Sequence, residues 1–357
     1  MGFDPQCLIS ICNVLMTARS QKGAVNFIDV ATSLLKIAGP YIVQYLGEVP
    51  RPQEVNVDDA LSDAESAQGF KPWESSEPVS GEVRALFIGI NYYGTSAKLS
   101  GCCNDVRQMI GTLQRRKFPI TSMNILVDED DFPGRTDQPT RANILRYMAW
   151  LVKDAKPGDV LFLHFSGHGT QTKAANDSEE EFDQCIAPVD FKQNGCILDD
   201  DIYNLLLSRL PEGVRFTAVF DCCHSGSMMD LPFTYVCRSS EHRSSAGHMK
   251  RIRQGNDVKA DVLMISGCED KQTSADVQNT ATFGTGSTGA GGAATQCLTI
   301  MMLKETSLSY RDVLLATRDK LKQKRFTQVP QMSASKPIDL NQKFSLKEKF
   351  LTDHSVA

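Results

Sequence analysis

Short, uninterrupted apolar runs alternate with helix-spaced segments along the chain from residue 84 onward. Residues 85–90 (Ala-Leu-Phe-Ile-Gly-Ile) form such a run, the pattern of a strand buried on both faces in a parallel sheet. Similar runs at 124–127, 159–165, 215–220 and 261–266 predict four further strands. Between them, 104–115, 140–155 and 200–209 have helical spacing, with Thr140 as an N-cap and Pro157-Gly158 as a stop. A Gly-rich loop at 284–292 leads into a helix over 293–303, then a helix over 308–324 and a last strand near 330–335. This alternation predicts an α/β fold with a mainly parallel central β-sheet flanked by helices on both faces. Residues 232–259 mix Arg, Ser, His and Gly without periodicity and are expected to form a mobile loop.

The first 80 residues have a different texture. Apolar spacing over 27–46 is roughly helical until Gly39-Pro40 breaks it, and Arg51-Pro52 and residues 71–81 read as linker. The expected organisation is a main domain, 81–357, and an N-terminal extension, 1–80, that packs on it or covers part of it, on or near the groove that holds its site.

Composition narrows the function classes. Hydrophobic residues at 41% and charged residues at 23% are ordinary for a globular chain. A net charge of -5 and a pI near 5.7 argue against nucleic acid as the main partner, because phosphate binding needs clustered Lys and Arg. The longest apolar runs fall far short of the ~20 residues of a membrane span. The first ten residues lack a basic n-region and are interrupted by Asp4, and Gln6 stands where a myristoylation motif wants Ser or Thr. A cytoplasmic location follows as an expectation. The 11 cysteines follow no framework spacing, so most are expected to be reduced, buried and inert.

Two motifs break that pattern. His164-Phe-Ser-Gly-His-Gly169 directly follows one predicted strand, and Asp221-Cys-Cys-His-Ser-Gly-Ser227 directly follows another. Sites in open parallel sheets form beyond the carboxyl ends of strands, so both motifs face one edge. A thiol needs a neighbouring base to become a thiolate at neutral pH, and His168 between two glycines can supply it. Cys222 continues the strand and is expected to pack inward, which leaves Cys223 as the nucleophile. His164 lies within the strand run, and His224 adjoins the thiol too closely to point back at it. The N–H groups of Gly169 and Cys223 could form an oxyanion hole.

These two motifs together resemble the signature pair of the metacaspases, caspase-like cysteine peptidases of plants, fungi and protozoa. Gly89-Ile-Asn-Tyr-Tyr93, Gly101-Cys-Cys-Asn-Asp105 and Ile265-Ser-Gly-Cys268 look like further family blocks, so the resemblance runs from about residue 84 to the C-terminus. It is nearest to the type I metacaspases of kinetoplastid protozoa. The resemblance implies a caspase-like fold, a monomer, calcium dependence, and cleavage of protein or peptide substrates after Arg or Lys at P1, the residue preceding the scissile bond.

Asp105 and Asp221 support that specificity from the residues themselves. Two carboxylates near one pocket would receive a guanidinium bidentately or an ammonium as a point charge. Asp105 also reads as a helix N-terminal charge satisfying the dipole. Cys102 and Ser166 match pocket-lining positions of the family. The family's calcium site matches Asp183, Asp199, Asp200 and Asp230, which without the resemblance read as solvated acidic loops. Tyr41 matches a family tyrosine that covers the catalytic groove, and reads equally as an amphipathic-helix aromatic. Basic residues in 238–259 and Lys271 offer sites for self-cleavage.

Other classes fit less well. A tyrosine-phosphatase loop needs Arg six positions after its cysteine, where this chain has Met229. Consecutive Cys222, Cys223 and His224 cannot close a tetrahedral zinc site. The remaining alternative is a catalytically silent caspase-like scaffold, disfavoured because the dyad and both pocket carboxylates are intact.

Overall fold

The computed structural model describes residues 53–74, 80–173, 182–222, 228–236, 247–255, 257–267, 276–277, 291–304, 307–326 and 329–354. Tyr41, Cys223 and the proposed cleavage site Lys271 lie outside the described residues.

The elements appear in the order α1 (Val57–Asp63), β1 (Val83–Gly89), α2 (Cys102–Arg115), β2 (Ser122–Val127), α3 (Arg141–Val152), β3 (Val160–Ser166), β4 (Gly169–Lys173) and β5 (Phe182–Ile186). There follow the single turn α4 (Phe191–Asn194), β6 (Ile197–Leu198), α5 (Asp199–Leu206), β7 (Arg215–Asp221), β8 (Phe233–Val236), β9 (His248–Arg251) and β10 (Asp261–Ser266). The chain then adds β11 (Asp276–Val277), β12 (Gly291–Gly292), α6 (Ala293–Lys304), α7 (Tyr310–Gln323) and β13 (Gln331–Ala334).

The main sheet has the order β2-β1-β3-β7-β10-β13-β8-β9. The first five strands are parallel and the last three join antiparallel. Alternating side chains divide the core into two layers. Leu86, Ile88, Leu161, Leu163, Phe216 and Phe220 face α1, α3 and α5, whereas Phe87, Phe162, Val219 and Leu263 face α2, α6 and α7. The expected mainly parallel sheet with helices on both faces is therefore present.

Three local departures have clear causes. Helix α3 starts where Thr140 caps it by accepting from Asn143 N at 3.3 Å, but it stops at Val152 instead of 155. There the buried Arg84 guanidinium donates to the carbonyls of Trp150 and Lys153, at 2.8 and 2.7 Å, and so satisfies groups a longer helix would have used. Residues 232–259 are not a loop throughout. Strands β8 and β9 pair with each other and extend the sheet past β13, with Tyr235 and Met249 buried. Residues 237–246, between those strands, lie outside the described residues. A small sheet, β4-β5-β6, also escaped the periodicity, because its strands are short and polar.

Residues from the expected N-terminal extension pack into the core of the main domain. Ala60, Ala64 and Ala67 belong to the same buried cluster as Ile88 and Leu163. Phe70 bridges Met123 on the outer edge of β2, and Trp73 donates its indole N–H to Phe118 O at 2.8 Å.

Candidate active site

Register places the two sequence motifs side by side. Gly89, Ser166 and Asp221 end β1, β3 and β7 and lie directly opposite one another. His168 and Cys223 each follow two residues after such a neighbouring strand end.

The half-buried His168 is held from three sides. Its backbone N–H donates to Tyr92 Oη at 2.9 Å, and the Tyr92 hydroxyl donates to Ala187 O at 2.6 Å. The two rings sit 4.7 Å apart between centroids. His168 Nε2 lies 2.7 Å from the carbonyl oxygen of Ala97. A carbonyl can only accept, so Nε2 carries the proton and, in the neutral ring, Nδ1 keeps the lone pair needed for a base. Tyr92 and Ala97 were not recognised from sequence as orienting groups. Tyr92 lies in the Gly-Ile-Asn-Tyr-Tyr block, which was the one available signal, and a backbone carbonyl leaves none.

His164 has a different role. It is wholly buried in β3, and burial lowers its ring pKa to about 3, so it stays neutral. Its Nε2 is 3.3 Å from Thr295 Oγ1. Cys222 is likewise wholly buried, as its inward alternation predicted. The described cysteines, Cys102, Cys103, Cys185, Cys196 and Cys222, are all buried, the state expected of inert thiols.

Asp105 and Asp221 form the acidic pair of the candidate pocket. Asp105 lies in the first turn of α2, which begins close against β1: a Cβ on Gly89 would fall 2.8 Å from Cys102 O. Ser166 Oγ donates to Asp105 Oδ2 at 2.8 Å, so the two predicted lining residues touch. Cys102 is buried at the start of the same helix, and its N–H donates to Asn91 Oδ1 at 2.9 Å.

The floor of the pair comes from α6, which sequence reasoning did not connect with the pocket. Gly292 N donates to the Asp105 carboxylate at 2.7–2.8 Å, Gln296 Nε2 donates to its Oδ1 at 3.0 Å, and Thr295 N donates to Asp221 Oδ2 at 2.8 Å. The Gly292 and Thr295 donors are backbone N–H groups just before and within the first turn of the helix, at its positive end, whereas Gln296 contributes its side-chain amide. Burial, and then the charge of Asp221, hold the Asp105 carboxyl well above its ordinary range despite these donors.

Gly292 is required by this packing. A Cβ there would meet Asp221 Oδ2 at 2.2 Å and Asp105 Oδ2 at 2.9 Å. Gly292→Ala is expected to cost about 1–3 kcal/mol of stability, the usual cost of overpacking, and to raise KM for a peptide substrate. Urea denaturation and a substrate titration would measure both. The last residue of the Gly-rich run at 284–292 is thus part of the site, although composition marked it only as loop.

A second acidic group gathers residues from the start of α5 and from the chain after β7. Carboxylate oxygens of Asp199, Asp200 and Asp230 lie within 4.8 Å of one another. Asp199 and Asp200 open α5, and Asp230 follows the Cys223 segment with a left-handed φ of 47°. Burial, then the charge of Asp230, push the Asp199 carboxyl up to about 8. Crowded, partly buried carboxylates suit a hard divalent cation, whose charge offsets their repulsion. Asp183 is on strand β5, not in a loop, and stands outside this three-residue group. Its neighbour Gln184 donates its N–H to Asp199 Oδ2 at 3.0 Å. The Arg253 guanidinium lies 2.8 Å from Asp230 Oδ1. Asp201, third of the aspartate triplet, instead accepts from Val55 N at 3.2 Å.

Comparison with known proteins agrees with the geometry. A family model described as the metacaspase, peptidase C14 domain, matches residues 83–232. The chain is 66% identical to Metacaspase-3 of Trypanosoma brucei brucei, over 100% of both chains. It is 69% identical to Metacaspase-2 of the same organism, over 89% of this chain and 91% of the relative. A relative named Inactive metacaspase-4, also from Trypanosoma brucei brucei, is 55% identical over 92% of this chain and 93% of its own length. A solved structure of a Geobacter sulfurreducens protein aligns with a TM-score of 0.50 at 22% identity, covering 76% of this chain and all of that one. That likeness concerns the fold alone.

Proposed function

The chain belongs to the metacaspase family of cysteine peptidases, and from that premise we propose that it is a calcium-dependent endopeptidase cleaving after Arg or Lys through His168 and Cys223. The observation that carries the specificity is the buried pair Asp105 and Asp221, joined through Gly292 and lined by Ser166. Caspases that cut after Asp need a cationic pocket, and this one is acidic.

In the proposed reaction, His168 Nδ1 removes the proton from Cys223 Sγ. The thiolate attacks the scissile carbonyl carbon, and the N–H groups of Gly169 and Cys223 hold the oxyanion. The C–N bond breaks as the imidazolium returns its proton to the leaving amine, and water then hydrolyses the thioester. The carbonyl of Ala97 keeps the imidazole in the correct tautomer throughout.

Asp199, Asp200 and Asp230, with Asp183 on the neighbouring strand, would hold Ca²⁺, whose two positive charges would add to that of the Arg253 guanidinium already paired with Asp230. Asp230 is then fixed a few residues beyond Cys223. Asp230→Asn is expected to weaken calcium binding by about 10–100-fold, read by calorimetry, and to raise the calcium needed for half-maximal cleavage. Equal cleavage in chelator and in calcium would remove this part of the reading.

Self-cleavage at basic residues within 238–259 or at Lys271 belongs to the same proposal, and mass spectrometry of calcium-treated protein against Cys223→Ala would locate it. The proposed state is a cytoplasmic monomer. Among the described residues no helix is long and apolar enough to cross a membrane. Phe70 and the backbone of Asp137 cover the β2 edge, which supports the absence of pairing there. One assay tests the whole: calcium-dependent cleavage of an Arg-P1 fluorogenic peptide. No cleavage of Arg or Lys peptides would favour a silent scaffold, a state one relative's name records.

A further inference from the structure

Among the described residues around the acidic pair, Gln296 carries a buried polar atom that the resting hydrogen bonds do not use. Gln296 is wholly buried in the first turns of α6, a helix of 12 residues. Its Nε2 donates to Asp105 Oδ1 at 3.0 Å, but its Oε1 is buried without a hydrogen-bond partner. Oε1 shares a carbon with Nε2 and so lies within a few ångströms of the Asp105 carboxylate. A buried acceptor left unmade is costly, and its presence calls for a reason.

The pocket's donor and acceptor balance supplies one. The Asp105 carboxylate already accepts from Gly292 N, Ser166 Oγ and Gln296 Nε2, and Asp221 Oδ2 accepts from Thr295 N. A lysine ammonium brings three donors and a guanidinium brings five in a rigid plane. The carboxylates alone retain too few open lone pairs near Asp105 to satisfy that fork, and a neutral acceptor beside them completes it. We propose that Gln296 is a specificity-determining residue of the P1 pocket, its Oε1 accepting a guanidinium N–H so that arginine is preferred over lysine. The inference rests on the basic-P1 reading above.

The test compares wild type, Gln296→Met and Gln296→Glu on matched peptides with Arg or Lys at P1, in saturating calcium, with folding checked by thermal melting. Gln296→Met removes the Oε1 acceptor at similar volume, together with the Nε2 donor to Asp105, and Gln296→Glu loses that donor while keeping the acceptor. Gln296→Met is expected to raise KM for the Arg peptide about tenfold, the value of one charge-assisted hydrogen bond, with kcat nearly unchanged. The Lys peptide should lose less, so the Arg/Lys ratio of kcat/KM falls. Gln296→Glu keeps an acceptor and is expected to keep the arginine preference. An unchanged ratio in Gln296→Met overturns the proposal, because it leaves Gln296 as a prop for Asp105. Loss of the ratio in Gln296→Glu overturns it too, and decides alone if Gln296→Met fails to fold. Wild type cleaving neither peptide would instead remove the parent reading, and this proposal with it.

Discussion

Cys223→Ala is expected to lower kcat on an Arg-P1 peptide by about 10⁶-fold, leaving only what binding and the oxyanion donors supply. His168→Ala should produce a loss of similar size. The double variant should lose little more than either single one, because a nucleophile and its base act as one unit. Additive losses would show that the two residues do not act together. The structure gives a reason to expect a single unit: β3 and β7 are adjacent parallel strands, and each residue lies two positions beyond its strand end. Replacing Tyr92, which holds the His168 backbone and is also bonded to Ala187 O in the core, acts on catalysis through the histidine and belongs to a smaller class of effect.

Asp105→Asn should reduce kcat/KM for the Arg peptide by about 10²–10³-fold, since a buried cation loses its charged partner while the shape is kept. A neutral P1 peptide, cut slowly by the wild type, should lose far less. Stability should move the other way. The folded-state pKa of Asp105 is raised, so its folded form holds a proton that the unfolded chain has released. Its contribution is fully present below the unfolded value of about 3.9 and is lost as pH rises through the higher folded one. The wild type should therefore lose stability with rising pH over that window, and Asp105→Asn should lose less. Arginine binding favours the ionised carboxylate, so KM for the Arg peptide should fall as pH rises. A KM that climbs with pH, or an asparagine variant with undiminished activity, would exclude Asp105 as the cation's partner. Stability given up for binding is common at such sites.

The balance between sequence and structure differs from one feature to another. Strands β1, β3, β7 and β10 could be read because strands buried on both faces leave uninterrupted apolar runs. The strands β8 and β9 could not, because β8 has four residues with only alternate ones buried and the edge strand β9 buries a single one, so neither makes such a run. His168, Cys223, Asp105, Asp221 and Ser166 were all nameable from short motifs, since their chemistry belongs to the side chain itself. The orienting groups were not. Ala97 acts through its carbonyl, Gly292 through its N–H and its missing Cβ, and Thr295 through a backbone donor. Backbone groups are the same in every residue, so only their placement reveals them.

By itself, then, the sequence named the candidates for the chemistry, and predicted that the strands before them end at one edge of a parallel sheet. The tertiary structure decided that Ser166 and Asp221 stand opposite each other, that Asp183 sits on a strand next to Gln184, whose N–H meets Asp199, and that Gly292, just before α6, reaches Asp105 from 187 residues away in sequence. A side chain's reactivity is written locally in the chain. Its protonation, its partners and the ligand it can accept depend on groups that only folding brings within a few ångströms.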